Sequence, residues 1–186
     1  MPNWCRDFVI VKGHRHEINE IRSRISEKNS FLDGLYPIET CQFDWINGMQ
    51  IVDAEWDYHE WIKFYGTKWT DTMPDVHIDG DTLTAQFETA WAPPEQGMLL
   101  ISENWPNCVF GMAYSEPGMD FAGFVIIQNG LVITEDSSRY PDCGDWDKNY
   151  DEACQRQQDF ESGWIDELET EMNSIAITLT KVTSLR

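Results

Sequence analysis

An α+β fold built on a split βαβ core is what this chain predicts, and three stretches carry that expectation. Residues 75–94 read as a complete hairpin that runs into a helix. Val76 and Ile78 alternate with His77 and Asp79, the turn Asp79-Gly80-Asp81 follows, and Leu83, Ala85, Phe87 and Trp91 alternate with Thr84, Gln86 and Glu88. Cys5 to Lys12 places Phe8 and Ile10 on one side and Val9 and Val11 on the other, the pattern of a strand buried on both faces. From His14 to Asn29, Ile18, Ile21 and Ile25 recur at helical spacing, with Arg15, Arg22, Arg24 and Lys28 on the remaining surface.

In chain order, the strand at 5–12 and the helix at 14–29 are followed by an insertion at 31–65. Its first part, 31–53, is rich in turns (Asp33-Gly34, Tyr36-Pro37, Asn47-Gly48). Phe31, Leu35, Phe43, Trp45 and Ile51 within it predict an ordered segment packed on the domain. Ala54, Tyr58, Trp61, Ile62 and Tyr65 fit a short helix closed by Gly66. Strands at 72–79 and 82–91 form the hairpin, and Ala92-Pro93-Pro94 ends the second strand. A proline at the first helical position has the right φ and lacks only an N–H that would go unpaired, so a helix over 94–105 follows, then a strand over 108–115. This βαββαβ order is the ferredoxin-like one.

Beyond it, Gly123–Ile127 and Leu131–Thr134, joined by Asn129-Gly130, predict a second hairpin. The tail differs in kind. Asp142 to Glu171 holds eleven acids and two bases, with Phe160, Trp164, Leu168 and Met172 at four-residue intervals, which reads as an acidic amphipathic helix weakened at Ser162-Gly163. Ile175 to Val182 is rich in β-branched residues and reads as a final strand. The expected organisation is a ferredoxin-like domain at 1–135, carrying the insertion, with an acidic extension at 136–186 packed on it.

A chain of 186 residues suits one decorated domain. Its hydrophobic content of 41%, with nine Trp, excludes a disordered class. No signal peptide is visible and no apolar run approaches the ~20 residues of a membrane span, so the expected location is the cytosol. The five cysteines, Cys5, Cys41, Cys108, Cys143 and Cys154, contain no C-x-x-C pair and are odd in number, which predicts reduced thiols. Charge is the outlier. The net charge of −20 is uneven, because residues 1–30 carry +2 and residues 31–186 carry −22. Such a field repels nucleic acid and anionic membrane and attracts basic surfaces.

Four short stretches in order, Met1-Pro2-Asn3-Trp4-Cys5, Gly66-Thr67-Lys68-Trp69, Phe87-Glu88-Thr89-Ala90-Trp91-Ala92-Pro93-Pro94 and Asp120-Phe121-Ala122-Gly123, resemble the YubB-type ferredoxin-like proteins of plasmids, phages and their bacterial hosts. The resemblance covers about residues 1–135. Tyr65 departs from it, standing before Gly66 where the family has Asn-Trp-Gly, and the acidic tail lies outside it. It implies the fold and a mobile-element setting, and it implies no catalytic residues.

Catalytic and metal readings have few supports. His77, Asp79 and Asp81 sit at alternate positions and would share one face of a continued strand, as oxygen and imidazole ligands for a divalent cation. The same Asp-Gly-Asp is also what a hairpin turn selects. Asp145, Asp147, Asn149 and Asp151 imitate the start of a calcium loop, but Tyr150 stands at the glycine position and Arg156 at the bidentate Glu position. His14-x-His16 has no third ligand nearby, and no G-x-S-x-G nucleophile turn occurs. Met119 to Ile127 resembles an RNA-binding sheet signature, but it lacks the leading basic residue and the final aromatic. Direct nucleic-acid binding is not expected, except at the basic first helix.

The charge itself gives the leading expectation: a non-catalytic, cofactor-free protein of a mobile element or its host that engages a basic protein surface, as a nucleic-acid mimic or anti-defence factor. Candidate contact residues are Asp159, Glu161, Asp166, Glu167, Glu169 and Glu171 on the tail helix. Asp53, Glu55, Asp57 and Glu60 would supply a second row. If helical, Asp151 to Met172 spans about 31 Å and its eight acids give about one charge per 4 Å, against ~3.4 Å in a single nucleic-acid strand. The other classes considered are a carboxylate-dependent metal hydrolase or nuclease, and a structural or oligomerisation module.

Overall fold

The computed structural model describes residues 3–38, 43–46, 49–52, 58–69, 71, 73–140 and 150–183. In order the elements are β1 (Trp4–Lys12), α1 (Arg15–Lys28), α2 (Phe31–Leu35), β2 (Phe43–Ile46), β3 (Met49–Val52), α3 (Tyr58–Tyr65), β4 (Asp75–Asp79), β5 (Thr82–Ala90), α4 (Glu95–Asn104), β6 (Val109–Glu116), β7 (Phe121–Gln128), β8 (Leu131–Ser138) and α5 (Tyr150–Thr183). Six strands form one antiparallel sheet in the order β4-β5-β1-β6-β7-β8, and β2 and β3 pair separately. The run β4-β5-β1-β6, with α1 and α4 as the crossovers, is the ferredoxin-like arrangement that the element order predicts, and the second hairpin extends the sheet past β6.

β1 is apolar on both sides because both of its faces are covered. Val9 and Val11 enter a core with Ile18, Ile21 and Ile25 of α1 and Met98 and Ile101 of α4. Ile10 enters a second core with Phe124, Ile126 and Leu168 and Met172 of α5, and Phe8 packs at its margin. The molecule is therefore three layers, helices α1, α2, α3 and α4 on the inner face of the sheet and α5 on the outer. Leu83, Ala85 and Phe87 of β5 are buried inward, whereas Gln86 and Glu88 are exposed outward, since the contacts of α5 fall on β6 and β7. The insertion joins the inner core through Phe31, Leu32, Leu35, Trp61 and Tyr65.

α5 approaches the sheet closely at Gly111 of β6. A Cβ there would lie 2.7 Å from Cδ1 of Leu168 and 2.9 Å from Sδ of Met172, so only glycine admits the helix at this depth. The β7–β8 turn is the one Asn129-Gly130 specifies, with φ of 49° and 71°, the left-handed pair of a type I′ turn that matches the strand twist.

The expected final strand over Ile175–Val182 is not formed; these residues continue α5 to Thr183. β-branched content misleads here because β propensity expresses a fit to neighbouring strands. No glycine or proline follows Met172 in the sequence, and extending a helix costs far less than starting one. Ser162-Gly163 does not interrupt α5 either. The short helix is seen over Tyr58–Tyr65, residues 54–57 of its expected span lying outside the described residues; β4 begins at Asp75 rather than residue 72, and β8 runs four residues past Thr134 along β7.

Candidate interaction surface

With Leu168 and Met172 against the sheet, helical geometry fixes where the acids of α5 point. Asp159 and Asp166, seven residues apart and both exposed, lie on the line facing directly away from the sheet, about 10.5 Å apart along the axis. Glu167 and Glu169 are exposed on the two flanks, and Glu171 is half-buried. Glu161 does not belong to the ridge, contrary to expectation. It lies near the azimuth of Leu168 and accepts from Nη1 of Arg6 at 2.9 Å, from the Tyr140 hydroxyl at 2.5 Å and from Nε2 of Gln157 at 2.9 Å. Burial and this carboxylate together push the Tyr140 hydroxyl upward in pKa. Glu152 is paired at 2.5 Å with Arg156 one turn on. Of the expected second row, Asp53, Glu55 and Asp57 lie outside the described residues, and Glu60 falls within α3.

The sheet adds acids that the sequence alone did not assign to this side. In the strand register, Asp75 and Asp79 of β4, Glu88 of β5 and Asp136 of β8 share the outer face with Phe8 and Phe124, and all four are exposed. On the opposite layer, α1 exposes Arg15, Arg22, Arg24 and Lys28. Arg24 is held at 2.7 Å by Glu20 and at 5.1 Å over the Trp105 ring. Exposed acids thus gather on the α5 side of the sheet, while on the other side the four exposed cations of α1 stand among the exposed Glu20 and Glu27.

His77 and Asp79 are exposed on the outer face of β4 and Asp81 occupies the turn; they form no metal-holding group, and no set of three or more His, Cys, Asp or Glu does so among the described residues. His14 and His16 stack at 5.8 Å, and His14 caps α1, its backbone N–H donating to Glu17. Of the calcium-like stretch, Asp145, Asp147 and Asn149 lie outside the described residues, and Asp151 begins α5. Cys5, Cys108 and Cys154 are free thiols, while Cys41 and Cys143 lie outside the described residues. Burial pushes the thiol of Cys5 far up and that of Cys108 up to about 12, so neither supplies a thiolate nucleophile.

The four stretches singled out in the sequence converge at one end of the sheet, which spacing could not reveal. The Thr67 hydroxyl donates to the carbonyl of Ala90 at 2.9 Å and accepts from its N–H at 3.1 Å, clasping the end of β5. The next residue, Trp91, adopts φ of 74° and donates its N–H to the carbonyl of Asn3. Nζ of Lys68 lies 4.2 Å over the Trp91 ring and 5.2 Å over Trp69, whose ring is 6.2 Å from that of Trp4. Beside this cluster an open cavity of about 800 Å³ is lined by Gly66, Pro93, Gln96, Tyr114, Phe121 and Arg139. A groove of about 370 Å³ runs between α5 and the sheet past Arg6, Phe8, Ser115 and Trp164.

Beneath lies a polar seam that hydropathy did not disclose. Asp7 is fully buried, and burial raises its carboxyl pKa well above the usual range; Thr89 and Cys5 are its neighbours. Asp71 accepts from the backbone N–H groups of Phe31 and Leu32 and from the Ser30 hydroxyl, at 2.7, 2.9 and 3.0 Å, so it caps α2. Burial nonetheless pushes it up to about 6.

No helix among the described residues is long and apolar enough to cross a membrane. No curated protein matches the chain. The crystal structure of the protein api92 from Yersinia pseudotuberculosis is similar with a TM-score of 0.54 over 76% of this chain and 99% of that one; at 11% identity the likeness is one of fold. The model of the ferredoxin-like domain in Api92-like protein matches residues 64–162, from the end of α3 through the first third of α5. That span is more than half of the chain, and the chain belongs to this family of ferredoxin-like domains of Api92-like proteins.

Proposed function

We propose that the protein acts by binding, without turnover, and presents the outer face of its sheet, with α5 at the centre, to a basic surface of another protein. The plasmid, phage or host setting implied by the YubB resemblance, and a cytoplasmic location, belong to this proposal. The observation that carries it is the gathering of acids on one face. Exposed carboxylates from α5, β4, β5 and β8 share the outer side of the sheet, whereas α1 on the other side mixes its four cations with Glu20 and Glu27. Solubility alone requires neither this segregation nor a net charge of −20, when a small domain is kept soluble by ~2 to 8.

Spacing argues for recognition through the summed field rather than a copy of phosphates one by one. The ~10.5 Å step from Asp159 to Asp166 is about three times the ~3.4 Å repeat of a nucleic-acid strand. The test is a pull-down from bacterial lysate across a salt series, followed by titration of the recovered protein. Reversing Asp159, Asp166, Glu167 and Glu169 to Lys should abolish binding, whereas Arg15→Glu with Arg22→Glu on the far layer should leave it intact. Equal loss in both variants, or binding indifferent to salt, overturns the reading.

A further inference from the structure

We propose that the free edge of β8 is a second binding site, which takes an extended segment of a partner protein as a seventh strand, with Lys or Arg opposite Glu135 and Asp136 and apolar residues opposite Leu131–Ile133. The edge differs from its counterpart across the sheet. β4 has five residues, follows Pro74 and carries an acid at each end, which keeps it short and blunt. β8 has eight residues without proline, lysine or arginine, and no strand pairs with its outer edge among the described residues. A free edge of this length presents a row of unmatched backbone N–H and C=O groups.

Side-chain exposure points the same way. Leu131 lies opposite Gln128 on the outer side and Val132 opposite Ile127 on the inner, with Ile133 the extra residue of a β-bulge, and the three are 69%, 45% and 43% exposed. Both sides of β8 are therefore open, because α4 and α5 make their contacts on β6 and β7. Three consecutive exposed aliphatic residues on a free edge are costly unless something covers them.

Charge selects the occupant. Glu135 lies opposite Val125 and so points to the inner side, while Asp136 lies opposite Phe124 and points to the outer, so the strand is acidic on both sides at one end. A second copy of this chain brings −20 against −20, and like charges resist such pairing. A strand with basic residues at one end and apolar residues at the other satisfies backbone, aliphatic and carboxylate groups together, the usual economy of β-augmentation. This site needs no residue of α5, although Asp136 also belongs to the outer face of the sheet.

The probe is a synthetic capped octapeptide, Thr-Ser-Arg-Lys-Thr-Ile-Thr-Val, which runs antiparallel to 131–138 with its Arg-Lys pair opposite Asp136 and Glu135. Titrated into the isotopically labelled full chain, it should shift the amide resonances of β8 saturably. The same peptide with alternate backbone nitrogens methylated should bind at least about tenfold more weakly. Glu135→Lys with Asp136→Lys should transfer preference to a peptide carrying Glu-Glu in place of Arg-Lys. Equal binding of the methylated peptide, or shifts confined to α5, overturns the proposal. So does a dimer of the free chain in sedimentation that Ile133→Lys dissolves, since the occupant is then a second copy. The α5 charge-reversal variant should bind the peptide as the parent does, which keeps failure of the two readings distinguishable.

Discussion

The Thr89 hydroxyl lies 2.7 Å from Oδ2 of Asp7 and 2.9 Å from the carbonyl oxygen of Ala92. A hydroxyl has one proton, and a carbonyl can only accept. Once Thr89 donates to Ala92, its contact with Asp7 needs a proton from the carboxyl group. Burial without a cationic partner favours that neutral acid.

Asp7→Asn should therefore be tolerated, its amide donating to Thr89 where the acid did. The sign of the pH effect follows from the raised value. Between the unfolded carboxyl pKa of ~3.9 and the higher folded one, the folded state holds a proton that the unfolded state has lost, so stability falls as pH rises. Urea unfolding from pH 4 to 8 should show a shallower fall for Asp7→Asn than for the parent. Asp7→Ala, which strands the Cys5 and Thr89 partners, should cost about 1–3 kcal/mol.

Asp71 predicts the opposite response to the same substitution. Its two oxygens meet three donors, so an amide nitrogen in place of either oxygen faces an N–H. Asp71→Asn should cost about 1–3 kcal/mol and speed hydrogen exchange at Phe31 and Leu32. Because the folded value is about 6, the group's own charge lowers stability as pH rises from ~4 to that point. The parent should be more stable at pH 5 than at pH 7 through this group, with the difference lost in the variant.

Thr67→Val should open the clasp on Ala90. Two hydrogen bonds to the backbone of one buried residue are lost, at about 1–3 kcal/mol. Tryptophan fluorescence should change with it, since Lys68, Trp69 and Trp91 are placed by the clasp. Thr67→Ser keeps the hydroxyl and should restore most of both signals.

Two glycines, one within α5 and one beneath it, should respond with opposite signs. Gly163 is exposed within the helix and a Cβ there meets nothing within 4 Å. Gly163→Ala should raise stability by about 0.4–1 kcal/mol. Gly111→Val drives atoms into Leu168 and Met172 and should cost about 1–3 kcal/mol, with α5 amides losing hydrogen-exchange protection before those of β1.

The βαββαβ element order, both hairpins and the interior character of β1 were legible because hydrophobic period and turn chemistry are local properties. The stripe Phe160, Trp164, Leu168 and Met172 told which side of the tail helix would be buried, though not which sheet face would receive it. Ile175–Val182 was misread because β-branched content favours a strand only where a neighbouring strand is there to pair with. Glu161 is one of eight acids between Asp151 and Met172, and its seven-residue spacing from Leu168 was the available hint that it turns inward. Its partners Arg6, 155 residues away, and Tyr140 could not be read from the sequence. The Thr67 clasp and the Asp7 seam were invisible for the same reason, since hydrogen-bond partners distant in sequence leave no periodic trace. A Thr between Gly66 and Lys68 and an Asp inside an otherwise apolar strand were the available hints.

The close seat of α5 on Gly111 also bears on biosynthesis. Phe8, Ile10, Phe124 and Ile126 are all translated before Leu168 and Met172, which cover them. A nascent chain that has completed its sheet thus carries an uncapped greasy flank until the last helix emerges, the interval in which chaperone capture or clumping takes its toll. Slowed translation between β8 and α5 should lengthen that interval and lower the yield of native protein, with no change in the stability of the molecules that escape.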